Sequence, residues 1–245
     1  MIKFKRDLPD FLQVPWGIRD VLLFIVAWFG LQIGFSIILG VLAHSVPAVN
    51  QFVKALAAND IGASFALDLV GVVLGLLLVA GFLRHYRVSW DVVGWRKVNF
   101  LRVIKYLLGI MLLFFFLAQV ALVLVQMLVP GFNANQPQTN EFTSGISSNR
   151  NIALIALVLL PPIFEETIFR GFIFPALAKR LGTVGGAILS SVLFGLAHGQ
   201  ANLFVYTTIL GLLLCFMYLK LRSIVPGILL HMLNNYLAFL ALTSK

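Results

Sequence analysis

Long charge-free runs, separated by short basic or polar links, make up most of this chain. Val21 to Leu42 is 22 residues without a charge, enough for a helix to cross a hydrocarbon layer of about 30 Å at about 1.5 Å per residue. Ser64 to Leu83 and Tyr106 to Val129 repeat the pattern. Asp68 lies near the start of the former, where a carboxylate snorkels to the interface. Ile152 to Phe174, Thr183 to His198, Leu203 to Leu219 and Ile224 to Leu242 complete the series. The predicted fold class is all-α, a polytopic transmembrane helix bundle of about seven spans.

The links have characters of their own. Residues Met1 to Asp20 interleave Lys3, Lys5, Arg6 and Arg19 with Phe4, Phe11 and Trp16, which predicts an interfacial arm on the headgroups. His44, Pro47, Asn50, Asn59 and Asp60 mark a polar link. Arg84 to Lys105 reads as a basic loop carrying Trp90 and Trp95. Pro130 to Asn151 is a turn-rich polar loop expected to cover one mouth of the bundle. Gln119 and Gln126, seven residues apart on the third span, read as interhelical hydrogen-bonding groups. The first run is too long for a removable signal peptide, and no small-residue cleavage site follows it.

Composition sharpens this picture. The chain is 60% hydrophobic and 11% charged, outside the range of soluble domains. Its formal charge of +9 would suit nucleic acid, but the distribution argues otherwise. Alternate links hold 14 of the 18 lysines and arginines, and the links on the other side hold 3. That asymmetry places the N-terminus in the cytoplasm and the C-terminus outside, with the lipid bilayer as partner and no nucleic acid. For a bacterial source the membrane is the plasma membrane. The single Cys215 excludes an intrachain disulfide and reads as a small buried hydrophobe.

Three groups of polar residues interrupt the apolar runs. Ionisable side chains at membrane depth are costly and mark function by default. On a helix, neighbours point about 100° apart, so Glu165 and Glu166 cannot share a partner. Glu166 and Arg170, at i,i+4 with the acid first, can pair. Glu165 is left without a local partner. Pro161 and Pro162 remove two backbone donors one turn earlier, which frees carbonyls near Leu157 and Val158 and predicts a kink. Phe194 and His198 share a face of the fifth span, and His231 and Asn235 a face of the seventh. A carboxylate, two imidazoles and an amide on three spans offer a base, a second proton carrier and oxyanion donors, as water-dependent acyl transfer demands.

In this order, E-E-x-x-x-R (Glu165, Glu166, Arg170), F-x-x-x-H (Phe194, His198) and H-x-x-x-N (His231, Asn235) resemble the CAAX protease and bacteriocin-processing (CPBP, formerly Abi) family of intramembrane endopeptidases. The resemblance covers about residues 150 to 242. It implies a peptide or protein substrate, with Glu165 and His198 activating water and His231 and Asn235 lining the site and stabilising the oxyanion. Glu166, Arg170 and Phe194 would support them. The organisation expected is an arm at 1–20, three transmembrane helices and a polar loop at 21–149, and a four-helix catalytic core at 150–245. A metal-free glutamate mechanism is favoured, with zinc held by Glu165, His198 and His231 as the alternative. A proton-coupled small transporter and a non-catalytic immunity or scaffold protein are the competing functions.

The charge asymmetry generates a test. A reporter fused after Lys245 is expected outside the cytoplasm and one inserted in the Arg84 to Lys105 link inside; the reverse pattern removes the seven-span model.

Overall fold

Helices form where the apolar runs lie, and most extend beyond them. The computed structural model describes residues 8–58, 60–132 and 149–244, and among these every regular element is helical. The expectations for Phe4, Lys3, Lys5, Arg6, Asn59 and most of the polar loop (133–148) lie outside the described residues. Helix α1 spans Ile18–Ala43, α2 Pro47–Ala57, α3 Ile61–Tyr86 and α4 Phe100–Leu128. A helical run of 48 residues, Arg150–Ala197, is α5. Ala201–Leu221 is α6 and Val225–Thr243 is α7. Six of these are long and apolar enough to cross a membrane.

Local chemistry explains the extensions. The basic link shortens at both ends because α3 runs on to Tyr86 and α4 starts at Phe100. Asn99 caps α4, its side chain accepting from the Arg102 amide at 3.1 Å, and so satisfies one of the free donors of a first turn. At the other end α3 begins at Ile61, which leaves Asp68 two turns inside the helix and exposed. Helix α2 is absent from the sequence expectation. Pro47 stands at its first position, where the missing N–H costs nothing. Val49, Phe52, Val53 and Leu56 recur at helical spacing on one side, against Asn50, Gln51 and Lys54.

The fourth and fifth sequence runs are one helical run broken at Gly182, whose φ of 77° and ψ of 169° no helix contains. A positive φ is cheap only without a side chain, so this glycine sets the reversal. Inside the first arm two stretches widen to π-helical turns, Ile155–Leu159 and Thr167–Ile173. The prolines Pro161 and Pro162 follow the first of these directly, so the helix meets their missing donors with a wide turn.

The chain divides into two compact units, each described here by itself. One comprises Leu22–Phe82, Pro137–Phe164 and Met232–Lys245. In it the Trp28 indole donates to the Gly71 carbonyl at 2.9 Å and packs against Phe164 at 5.2 Å between ring centroids. Ala153, Val158 and Phe239 form a buried cluster, with Leu154, Leu157 and Leu242 packed on it.

The other unit comprises Met1–Val21, Leu83–Gln136 and Glu165–His231. Here α5 packs along α6, and α6 along α4. The N-terminal segment differs from the expected headgroup arm. Leu12, Val14 and Trp16 are buried in the protein, while Gln13 and Pro15 between them are exposed. The segment opens with a tight helical turn, Asp10–Leu12, and its buried side chains mark one covered face. The Trp16 indole donates to the Phe172 carbonyl at 2.9 Å and stacks on the Phe172 ring at 5.0 Å. The Lys179 ammonium donates to the Val14 and Trp16 carbonyls, both at 2.8 Å. The segment is thereby tied to the second wide turn. Gly171 in that turn faces the Val93 backbone so closely that a Cβ would run into the Val93 carbonyl oxygen.

Gly171→Ala is therefore expected to destabilise this unit by about 1–3 kcal/mol, the cost of overpacking, read as a lower thermal midpoint in detergent. An unchanged midpoint would mean that the 88–95 link yields.

Candidate active site

The second wide turn carries the charges. Arg170 donates from Nη1 to Glu166 Oε1 at 2.9 Å, and each side chain is only 1% exposed. Two glycines make room for the pair. A Cβ at Gly211 of α6 would meet Ser191 first, at 2.9 Å, and stand 3.2 Å from Arg170 Nη2, and one at Gly227 of α7 would stand 3.1 Å from Glu166 Oε2. Sequence reasoning missed both, because a glycine in an apolar helix carries no signal until its neighbour is known.

His231 enters from α7. Its Nδ1 lies 3.3 Å from Glu166 Oε1 and its Nε2 lies 3.7 Å from Glu165 Oε2. Glu165 therefore has a partner after all, from a helix distant in sequence, and against the expectation the two acids share it, because the His231 ring presents one nitrogen to each. The two acids differ as the helix geometry predicts: Glu166 is sealed at 1% side-chain exposure, while Glu165 is open at 24%. Glu165 Oε2, Glu166 Oε2 and Arg170 Nε and Nη2 are buried without hydrogen-bond partners among the described residues. These are spare donors and acceptors among the charged side chains.

Phe194 organises the rest. Fully buried, its ring stands edge-on to His198 at 4.8 Å and to His231 at 5.7 Å. The Arg170 guanidinium lies over it at 4.4 Å, close enough for a cation–π attraction. The half-buried His198 closes α5 with its Nδ1 at 2.8 Å from the Phe194 carbonyl. A carbonyl only accepts, so Nδ1 carries the hydrogen and the neutral ring presents a bare Nε2. This assignment follows from the bonding partner.

Glu165, Glu166, Arg170, Phe194, His198 and His231 thus belong to one unit and are linked by contacts. Asn235 belongs to the other unit, where its Nδ2 donates to the Leu157 carbonyl at 3.0 Å. Leu157 is four residues before Pro161 and five before Pro162, so its carbonyl lacks a helical donor in either an α or a π turn. The freed carbonyl expected from the prolines is there, and Asn235 satisfies it. Among the described residues no group of three or more His, Cys, Asp or Glu side chains is placed to hold a metal ion.

Fold and site together define the class: a polytopic helical membrane protein with an ionisable cluster set into apolar helices. Residues 147–237 match the family model described as "Type II CAAX prenyl endopeptidase Rce1-like", and that part of the chain is similar to this family. It is also 31% identical over 84 residues to the Bacillus subtilis (strain 168) protein described as "Putative membrane peptidase YdiL", which covers 34% of this chain and 34% of that one. The matched stretch is thus about a third of that relative's length. No solved structure matches this chain significantly.

Glu166→Gln leaves Arg170 as an uncompensated cation in an apolar interior, a loss of about 3–5 kcal/mol. This variant is expected to fold poorly in detergent. The double exchange Glu166→Arg with Arg170→Glu should recover part of the thermal midpoint, less than fully because the acid no longer precedes the base. No recovery would mean that His231, and not Arg170, is the partner that matters.

Proposed function

We propose that this chain is an intramembrane endopeptidase in which Glu165 and His198 activate a water against a peptide bond. The observation that carries the reading is the bare Nε2 of His198, whose Nδ1 is held by the backbone carbonyl of Phe194, the residue whose ring packs against His231. It supplies an acceptor for a water proton in the same unit as a carboxylate that is partly open.

The charge balance of the cluster supports the roles. With His231 carrying both ring protons, two carboxylates meet an imidazolium and a guanidinium, and the cluster is neutral, which suits an apolar surround. His231 then donates from Nδ1 to Glu166 and from Nε2 toward Glu165. The water oxygen forms its bond to the scissile carbonyl carbon as Glu165 takes one water proton and His198 Nε2 accepts a hydrogen bond from the other. The carbonyl π electrons move to oxygen. Protonation of Glu165 weakens its hold on His231 Nε2–H, which becomes free to donate to that oxyanion. The proton on Glu165 passes to the amide nitrogen, the C–N bond breaks, and a carboxylic acid and an amine leave. The oxyanion role that the motif gives Asn235 rests on the motif alone.

The substrate proposed is a peptide or protein segment that reaches the bilayer. Purified protein in liposomes would be titrated with peptide substrates, wild type against Glu165→Gln. The variant keeps the size of the side chain and is expected to hold the wild-type thermal midpoint while losing about 10²–10⁴ in rate. Cleavage at the wild-type rate by Glu165→Gln would sink this mechanism. Saturable uptake of a solute without cleavage would favour a transporter.

A further inference from the structure

The two glutamines of α4 have no role in the site, and the structure leaves both exposed. Gly109, Leu112, Phe116, Gln119, Val123 and Gln126 follow one another at alternating steps of three and four residues, the heptad seam of a helix that packs along another. All six are exposed, Leu112 at 73%, Phe116 at 65% and Val123 at 52%. A Cβ at Gly109 would meet nothing within 4 Å. The opposite face of α4 is used already, since Val103, Ile110, Phe114 and Ala118 are buried and the Phe114 ring stands against Tyr206 of α6 at 4.6 Å.

Gln119 is the informative residue. It lies nine residues before the end of α4, about 14 Å at the helical rise, and so within the apolar layer. Neither glutamine has a hydrogen-bond partner among the described residues. An unpaired amide facing lipid tails is costly, because hydrocarbon offers neither donor nor acceptor. Gln119 thus sits on a heptad seam with an unmet need for another amide or its equivalent.

We propose that this seam is the interface of a homodimer, with α4 of a second copy as its occupant. A carboxamide donates and accepts at once, so it is its own complement. Two copies inserted the same way in one membrane relate by a two-fold axis along the membrane normal, and their α4 helices run parallel. Each seam position then faces itself. Gln119 meets the partner's Gln119 inside the bilayer, Gln126 meets the partner's Gln126 nearer the surface, and Gly109 lets the helices close. The proposal is independent of peptidase activity.

The test uses the full chain in liposomes, with Cys215, its one cysteine, replaced by serine. Phe116→Cys and Val123→Cys on the seam are expected to form an intermolecular disulfide on mild oxidation. Leu113→Cys and Leu124→Cys, about 100° round the helix, are not. Subunit number is counted in parallel by single-molecule photobleaching across a range of protein-to-lipid ratios. Adding Gln119→Leu should raise the dimer dissociation constant about three- to thirtyfold, the range for one interhelical polar contact, and Gln119→Asn should restore part of it. Unchanged thermal midpoints would show that the variants fold. A monomer at every ratio overturns the proposal and leaves lipid as the occupant. Equal crosslinking on and off the seam, or a dimer indifferent to Gln119→Leu, overturns it as well.

Discussion

An apolar helix does not tolerate a lone charge, and much around the site follows from that constraint. Glu166 and Arg170 are buried to 1%, so each depends on other side chains for its charge, although Glu166 Oε2 and Arg170 Nε and Nη2 keep no hydrogen-bond partner among the described residues. The guanidinium meets a carboxylate and the face of Phe194, and the carboxylate meets a guanidinium and an imidazole. The fold accommodates this with small residues at the contact points, Gly211 against the arginine and Gly227 against the glutamate. A methyl group at either place would press on an ion pair that has no water to retreat into. The open acid, Glu165, is possible because its neighbour is already neutralised.

The same constraint acts on the backbone. Pro161 and Pro162 remove two backbone donors, and a freed carbonyl in an apolar environment is nearly as costly as an unpaired side chain. Asn235 satisfies the Leu157 carbonyl, and the wide turn Ile155–Leu159 takes up the misfit. The second wide turn is held differently. The Trp16 indole occupies the Phe172 carbonyl, and the Val93 backbone lies against Gly171. The N-terminal segment therefore braces the turn that presents Arg170.

Much of this was legible in the chain. Charge-free runs of membrane length specify helices because lipid leaves the backbone no other way to satisfy itself, and the i,i+4 spacing of Glu166 and Arg170 specifies their pairing. The different exposure of Glu165 and Glu166 follows from the same helical angle. Phe194 and His198 were legible as one face of a helix, and the chain itself named the carbonyls that two prolines would leave unmet.

Other features depended on what lies opposite each residue in space. Pairing of His231 with both glutamates joins positions 65 residues apart in sequence, and no periodicity along one helix encodes it. Trp16 read as a headgroup anchor because an indole suits an interface and a core alike; burial against Phe172 decided between them. Gln119 and Gln126 read as hydrogen-bonding groups toward a neighbouring helix, and both are exposed among the described residues. The sequence by itself determined which segments are helices and which side chains share a helical face, since both are set by local spacing and the apolar solvent. Tertiary structure alone decided which faces meet, because burial and pairing are properties of two surfaces and the chain lists them one at a time.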